Sequence, residues 1–324
     1  MKNIKELKKG EKVTLHGLLT DLNLGETAQK KEPFARFGLV NASGYLPCVN
    51  WNVPVSFLEA LKGFESEDVL EIVILVDEYN GSPQGIVQSG SVLKGQAINF
   101  LTEVVPVEKE NVLSYSQVEK LIKDGVLIKN ETVRLIALTA IQKYQKGFEE
   151  VSAAKKMHHA KAKGLIRHTF EMLQLATSIA KIYPNVDMDI VNAGIILHDL
   201  WKTEEYLYSY GIALDFSTDG VLMGHLLMGS IGIKEIADSL NINDPDKDEI
   251  VKELIHVVAS HHGKQEWGAI VVPATIEAII VHHIDGLDAD LYKFSEAEKE
   301  LEPGTSMDVR KGDIRNVYKS YRKK

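Results

Sequence analysis

The chain has 324 residues, enough for two domains, and its hydrophobic (44%) and charged (26%) fractions are ordinary for a globular protein. Its net charge of -9 argues against nonspecific binding to duplex DNA, which needs a basic face. The sequence has no long apolar run or signal peptide, and its single cysteine excludes a cysteine-rich zinc module, so we expect a cytoplasmic protein without a membrane span.

Residues 1–98 are predicted to form a β-barrel domain. Strand-sized runs with alternating apolar and polar residues, such as KVTLHGLLTDLNL and DVLEIVILVDEYNG, are separated by Gly, Asn and Ser. The segment with a helical period is VSFLEALKGF. Five strands with one intervening helix are typical of an OB-fold, and a generic β-sandwich is the alternative.

The predicted barrel carries aromatic and basic residues that are candidates for contacts with a single strand of nucleic acid. OB-folds bind single strands with aromatic platforms and a positive groove. Because aromatic residues in strands usually pack in the core, we expect one or two of the rings of Phe34, Phe37, Tyr45 and Trp51 to be exposed. The nucleic-acid-binding candidates are Phe34, Arg36, Phe37, Trp51, Lys30 and Lys31.

Residues 99–115 show little periodicity and contain Pro106, so they are predicted to be a linker. From Ser116 onward, apolar residues recur at helical spacing almost to the C-terminus. Residues 116–324 are therefore predicted to form an all-α domain. The fold expected for the whole chain is an N-terminal β-barrel followed by a helical domain.

Several polar side chains of the helical region share a helix face with apolar residues, which directs them towards the core. His168, for example, shares a face with Leu165 and Met172. One inward histidine is an ordinary core residue, but a buried carboxylate without a partner is strongly disfavoured. Helices that each direct imidazole or carboxylate inwards indicate a common divalent cation, held in the interior of the bundle. The inward-facing set is His168, His198, Asp199, His261, His262 and Asp285.

This set resembles the ligand series of the HD-domain metal-dependent phosphohydrolases. The resemblance extends to His225, in DGVLMGHLLMG, which matches an additional histidine of the two-metal members. It implies that Asp199 bridges two metals, which share a hydroxide of lowered pKa and bind the phosphoryl oxygens. Mn²⁺ is the expected metal, with Fe, Co and Zn as alternatives. The implied ligands are His168, His198, Asp199 and Asp285 for one metal, and Asp199, His225, His261 and His262 for the other.

Longer segments resemble the YhaM-type 3′→5′ exoribonucleases over almost the whole chain. Examples are AGIILHDLWKTEEY and ASHHGKQEWGAIVVPATIEAIIVHHIDGLDA. The resemblance implies an OB-fold followed by an HD domain, and removal of 3′ nucleotides from single-stranded RNA, often also from single-stranded DNA. Assembly into a homo-oligomer remains open.

Catalytic roles are predicted for three residues. Asp199 is the bridging ligand, and Lys202, one turn further on, is a candidate for binding a phosphate oxygen, with an exposed helix-end lysine as the alternative. His159 matches the family and precedes the His168 helix, where it is either near the substrate phosphate or part of a loop-end histidine pair. Trp201 stands where the HD family commonly has Gly, and it either restricts entry to the site or stacks on a base.

Two other functions are weighed against the exonuclease. An HD site alone would also serve a nucleotidase or a cyclic-nucleotide phosphodiesterase that acts on small nucleotides, but the barrel argues for a polymer substrate. A non-catalytic nucleic-acid-binding protein is the third possibility, and the complete ligand set argues against it.

Overall fold

A computed structural model describes residues 3–27, 31–65, 67–79, 82–105, 114–154, 161–311 and 314–322. The chain divides into two compact units: residues 1–108 with 206–216, and residues 109–205 with 217–324. Among the described residues, every helix is too short or too polar to cross a membrane.

The first unit contains a closed barrel whose strands come from the N-terminal region. Its elements are β1 (Lys12–Glu26), β2 (Pro33–Asn41), β3 (Gly44–Asn50), α1 (Val55–Lys62), β4 (Val69–Tyr79), β5 (Ser82–Leu93) and, after the barrel, α2 (Leu101–Val104). The strand order is β1-β2-β3-β5-β4, and a parallel pairing of β3 with β5 closes an otherwise antiparallel sheet. A closed five-stranded barrel with a helix between its third and fourth strands is the OB-fold, as predicted.

The barrel core is built from the inward-facing residues of the strands and from α1. Gly90 of β5 has no side chain, so the ring of Phe57 from α1 packs directly against that strand. Phe37 is only 3% exposed and belongs to this core. The prediction that Phe37 contacts nucleic acid is therefore wrong, because its place on β2 faces the barrel interior.

A hairpin from the second half of the sequence belongs to the first unit. It consists of β6 (Tyr206–Ser209) and β7 (Ile212–Phe216), joined by Tyr210 and Gly211. Both joining residues have positive φ (46° and 81°), the geometry of a tight two-residue hairpin turn. The Thr20 hydroxyl of β1 donates a 2.7 Å hydrogen bond to the carbonyl of Leu214, which ties the hairpin to the barrel.

The second unit is helical, and the predicted fold class is confirmed, with a short C-terminal hairpin as an addition. Its helices pack around α7 (Met188–Leu197). This helix contacts α4 (Glu131–Lys143), α6 (Gly164–Ile182), α11 (Lys247–Ser260) and α12 (Ile276–Lys299). Because α7 is covered on several sides, its run MDIVNAGIIL is almost entirely apolar. The elements are α3 (Tyr115–Lys123), α4 (Glu131–Lys143), α5 (Gln145–Glu150), α6 (Gly164–Ile182), α7 (Met188–Leu197), α8 (Lys202–Glu205), α9 (Thr218–Leu222), α10 (Gly224–Ser239), α11 (Lys247–Ser260), α12 (Ile276–Lys299), β8 (Ser306–Lys311) and β9 (Ile314–Tyr318).

Trp201 is a core residue of this unit. Its side chain is 2% exposed and meets the ring of Tyr144 edge-on at a centroid distance of 5.4 Å. Gly229 and Gly232 of α10 make room for the indole, since a methyl group on Gly232 would come within 2.3 Å of the ring. Trp201 therefore neither restricts entry to a site nor stacks on a base.

His16 of β1 joins the barrel to the segment that follows it. Its Nδ1 lies 2.6 Å from Glu103 Oε1 on α2, and its Nε2 lies 2.9 Å from Glu71 Oε2 on β4. Burial by itself would lower the pKa of His16, but hydrogen bonds and charge attraction to the two carboxylates outweigh burial and raise it. The start of the predicted linker is thus held against the barrel.

We predict that replacing His16 with Gln makes stability less dependent on pH. A histidine whose pKa is higher in the folded protein stabilises it fully below the unfolded pKa of about 6.5, and this contribution is lost as pH rises through the folded pKa. The difference in unfolding free energy between wild type and His16→Gln should therefore be largest at mildly acidic pH and shrink at alkaline pH. Denaturant titrations across this range measure it, and a constant difference would contradict the prediction.

Candidate metal centre

The predicted metal ligands lie close together, although they come from five parts of the helical unit. His168 is in α6, the pair His198-Asp199 follows α7, His225 begins α10, the pair His261-His262 follows α11, and Asp285 is in α12. Their donor atoms form three groups, each within 4.8 Å: His168 with His198 and Asp285, His198 with Asp199 and His261, and His225 with His261 and His262. Most of these residues are buried.

Asp199 lies between two sets of histidines. Its Oδ2 is 3.4 Å from Nε2 of His198, whereas its Oδ1 is 3.3 Å from Nε2 of His225 and 3.6 Å from Nε2 of His261. The two oxygens of one carboxylate thus face different ligand groups. This is the arrangement that a bridging ligand needs.

His198 and His261 are oriented by the helices that they end. In each, the ring Nδ1 donates a 2.8 Å hydrogen bond to the carbonyl three residues earlier, Ile195 for His198 and Val258 for His261. These carbonyls belong to the last helical turn, where they have no partner within the helix. Because Nδ1 carries the proton, the lone pair is on Nε2, which faces Asp199.

His168 and His225 are oriented by carboxylates instead. Nδ1 of His168 lies 2.6 Å from Asp288 Oδ2, and Nδ1 of His225 lies 2.9 Å from Glu205 Oε1. The same Glu205 oxygen also accepts a 3.0 Å hydrogen bond from the backbone N–H of His225. A carboxylate on Nδ1 fixes the ring orientation and increases the basicity of Nε2, as is usual for metal-binding histidines.

The charges of the centre are unequal between its two sides. Burial opposes a charge on His168, but Asp285 and Asp288 raise its pKa to about 10. On the other side, burial and the neighbouring His261 and His225 lower the pKa of His262 to about 3. A positive charge is therefore favoured on His168, and a neutral imidazole is favoured at His262.

The residues fit divalent cations. Nε2 of His198, Nε2 of His225 and Oδ1 of Asp199 are buried, and none has a hydrogen-bond partner among the residues that the structure describes. Leaving such atoms without a partner is costly, so their convergence indicates a site for a ligand that accepts lone pairs. Neutral imidazoles combined with carboxylates suit Mn, Fe or Zn. HD domains are metal-dependent, and His168, His198, Asp199 and Asp285 would hold one cation, with His225, His261 and His262 available for another.

Lys202 and His159 are the other two residues for which catalytic roles are predicted. Lys202 is buried, and its Nζ lies 2.6 Å from Asp199 Oδ2. Burial would lower its pKa, but attraction to Asp199 outweighs burial and raises it, so the lysine remains charged. His159 lies outside the described residues.

Three of the nucleic-acid-binding candidates form one cluster on the barrel. The guanidinium carbon of Arg36 lies 5.3 Å from the ring centroid of Phe34 and 5.2 Å from that of Trp51, and the two rings are 6.0 Å apart. Trp51 is 47% exposed and Phe34 is half-buried. Lys31, two residues before β2, is exposed, whereas Lys30 lies outside the described residues.

Two residues of the centre were not among the predicted site residues. Asp288 is three residues after Asp285, and this helical spacing could have signalled a shared face. Glu205 gives no such signal, because α8 is only four residues long and shows no periodicity.

Comparison with known proteins gives matches over the whole chain and over its parts. The HD domain family matches residues 165–290. The 3′-5′ exoribonuclease YhaM of Listeria monocytogenes is 33% identical over 306 residues, which are 94% of this chain and 93% of that protein. The protein of the same name from Listeria welshimeri is 31% identical over the same shares. The second OB-fold domain of replication protein A from Methanococcus maripaludis, a solved structure, covers 29% of this chain and 94% of its own at 18% identity, with a TM-score of 0.23.

We predict that Glu205→Ala weakens divalent metal binding at the His225 side of the centre by about 10- to 100-fold, the usual effect of removing a carboxylate that orients a histidine ligand. Glu205→Gln, which keeps an oxygen acceptor, should lose less. Calorimetric titration of the metal-free protein with Mn²⁺ measures the effect. The exposed neighbour Glu204 provides the matched control Glu204→Ala. Equal affinity in all four proteins would contradict the orienting role.

Proposed function

The chain belongs to the family of YhaM 3′-5′ exoribonucleases, and we propose that it removes nucleotides from the 3′ end of single-stranded RNA by metal-dependent hydrolysis with a pair of divalent cations. Family membership gives the nuclease activity and the hydrolase class. The pair of cations, a preference for Mn²⁺ and activity on single-stranded DNA go beyond it and are parts of the proposal.

The observation that carries the pair of cations is the position of Asp199. Its two oxygens face different histidine groups at 3.3–3.6 Å, and the buried atoms of His198 and His225 point at it without other partners in the described part of the chain. A single cation would leave the lone pairs of one of the two histidine groups without a partner. Bound divalent cations supply Lewis acidity and make a water molecule nucleophilic near neutral pH.

The remaining chemistry falls to the side chains around the ligands. Lys202 keeps a positive charge in a buried place, within 2.6 Å of Asp199. Cations held by Asp199 would share its charge, which would leave the ammonium group of Lys202 available for a phosphate oxygen of the substrate. Asp288 and Glu205 fix the ring orientations of His168 and His225 through their Nδ1 atoms.

The barrel provides the feature that favours a polymer over a small nucleotide. Trp51 and Phe34 offer ring faces beside the guanidinium of Arg36, which combines base stacking with a charge for the phosphate backbone. With a net charge of -9, the chain offers only such local positive groups, so the affinity for a strand should be modest.

We predict that Asp199→Asn lowers hydrolysis of single-stranded RNA by about a hundred-fold or more, because a neutral amide cannot compensate two cations. Binding of the strand through the barrel should be unchanged. RNA labelled at the 5′ end and incubated with Mn²⁺ should give a ladder of shortened products with wild type, and RNA labelled at the 3′ end should release labelled mononucleotide first.

The exposed aspartate of α10 provides the matched control Asp238→Asn, which should keep full activity. Retained activity in Asp199→Asn would refute the bridging role. Hydrolysis of small nucleotides with oligomers left intact would refute the exonuclease.

We predict separately that Trp51→Ala weakens binding of a short single strand about ten-fold, since stacking of one base on an aromatic ring contributes about 1–3 kcal/mol. Fluorescence anisotropy of a labelled oligomer without divalent metal measures the dissociation constant. Tyr79→Ala removes another exposed aromatic ring of the barrel and serves as control. The same loss in both variants, or in neither, would count against the Trp51 platform.

A further inference from the structure

The loop that follows the His261-His262 pair is tied back to the end of α11. The N–H of Gly263 donates a 2.7 Å hydrogen bond to the carbonyl of Ser260, and the N–H of Ile270 donates a 2.9 Å bond to the carbonyl of Ala259. Both ends of the loop are thereby held at the last turn of the helix that precedes the two ligands. The backbone of this loop is therefore anchored beside the metal centre.

Trp267 lies on this loop, in the short 3₁₀ helix Gln265–Trp267, and 50% of it is exposed. The backbone N–H of Trp267 donates a 3.0 Å hydrogen bond to the carbonyl of Lys264. The next residue, Gly268, has a φ of 95°, and a methyl group there would lie 3.5 Å from Nδ1 of His262. The backbone at Gly268, directly after the tryptophan, therefore passes close to the side chain of the ligand His262.

His282 of α12 contacts the backbone at the start of the same loop. Its Nδ1 donates a 2.8 Å hydrogen bond to the carbonyl of His261, and its ring leaves room only for a glycine at position 263. The indole of Trp267 lies 6.2 Å from this imidazole, between ring centroids. The tryptophan, the loop and the two ligands thus form one connected group.

One face of the indole is covered by a movable cation. Nζ of Lys264 lies 4.2 Å from the ring centroid, and the side chain of Lys264 is 56% exposed. At an exposed site, this contact is weaker than the stacking of a nucleobase on an aromatic ring. The ammonium group also lies 3.5 Å from Oε1 of Glu266, and because both contacts are exposed and weak, a base can displace it from the ring.

We propose that Trp267 is the stacking surface for a base near the 3′ end of the bound strand, with Lys264 as its phosphate-binding neighbour. The proposal rests on the proposed exonuclease function and adds to it a subsite beside the scissile bond. The ligand can be any of the four nucleobases, since every base has a face that can stack. The half-exposed indole lies 6.2 Å from the ring of His282, which hydrogen-bonds to the backbone of the ligand His261, so its accessible surface is near the metal centre.

The test compares single-stranded RNA with an oligomer of the same sequence whose last nucleotides at the 3′ end are abasic. Initial rates with Mn²⁺ are measured over a range of substrate concentrations for wild type, Trp267→Ala and Trp267→Phe. Loss of the indole should raise KM for the normal RNA about ten-fold, and Phe should restore most of it. On the abasic oligomer, wild type and Trp267→Ala should have the same KM.

Two controls separate the stacking role from a structural one. Metal titration should give the same Mn²⁺ content for Trp267→Ala as for wild type, which shows that the His262 side of the centre is intact. Tyr183→Ala removes an exposed aromatic ring of the same unit, at the end of α6, and should leave both substrates unaffected.

An equal KM increase on normal and abasic RNA, no increase on either, or a lower metal content in Trp267→Ala would overturn the stacking subsite while the exonuclease function stands. If wild type releases no nucleotides from the 3′ end of normal RNA, the proposed function itself fails and the subsite fails with it.

Discussion

The helical unit depends on one buried carboxylate, that of Asp199. A carboxylate that is 2% exposed needs compensation, which Lys202 supplies in part, and the Nε2 atoms of His198, His225 and His261 lie around it. Burial alone would raise the pKa of Asp199, but Lys202 and His198 outweigh burial and lower it well below its usual value. The group is therefore a fixed negative charge around which ligands for cations are arranged.

The fold delivers these ligands by bringing the ends of helices together. His198 and His261 each follow the last turn of a helix, where a carbonyl without a helical partner is available to orient the ring. His168 and Asp285 come instead from within helices, α6 and α12, that pack against α7. A helix that is apolar on nearly all sides is thus what places a His-Asp pair at the centre of the unit.

The orienting hydrogen bonds connect the chemistry of the site to chain segments that carry no ligand. Glu205 ends α8, and the chain then enters the hairpin Tyr206–Phe216, which belongs to the barrel unit, before it returns to α9 and His225. Both partners of the Glu205–His225 contact therefore flank the hairpin. The hairpin is held to β1 by the Thr20–Leu214 hydrogen bond, so the barrel unit includes the segment that separates these two residues.

The sequence by itself determined the fold class of each unit, because helical and strand periodicity specify it, and it predicted a set of inward-facing polar residues. Alternating residues give the strands of the barrel, and apolar residues at helical spacing put His168 and Asp285 on inward faces.

Only the tertiary structure decided the roles of several other residues. Phe37 and Trp51 both belong to the strand-like run FARFGLVNASGYLPCVNW, yet Phe37 fills the barrel and Trp51 is exposed. Trp201 proved to be a core residue because two distant glycines of α10 make space for it, and Glu205 proved to orient His225 across twenty residues. These roles depend on which element lies opposite a side chain, and local sequence patterns do not contain that information.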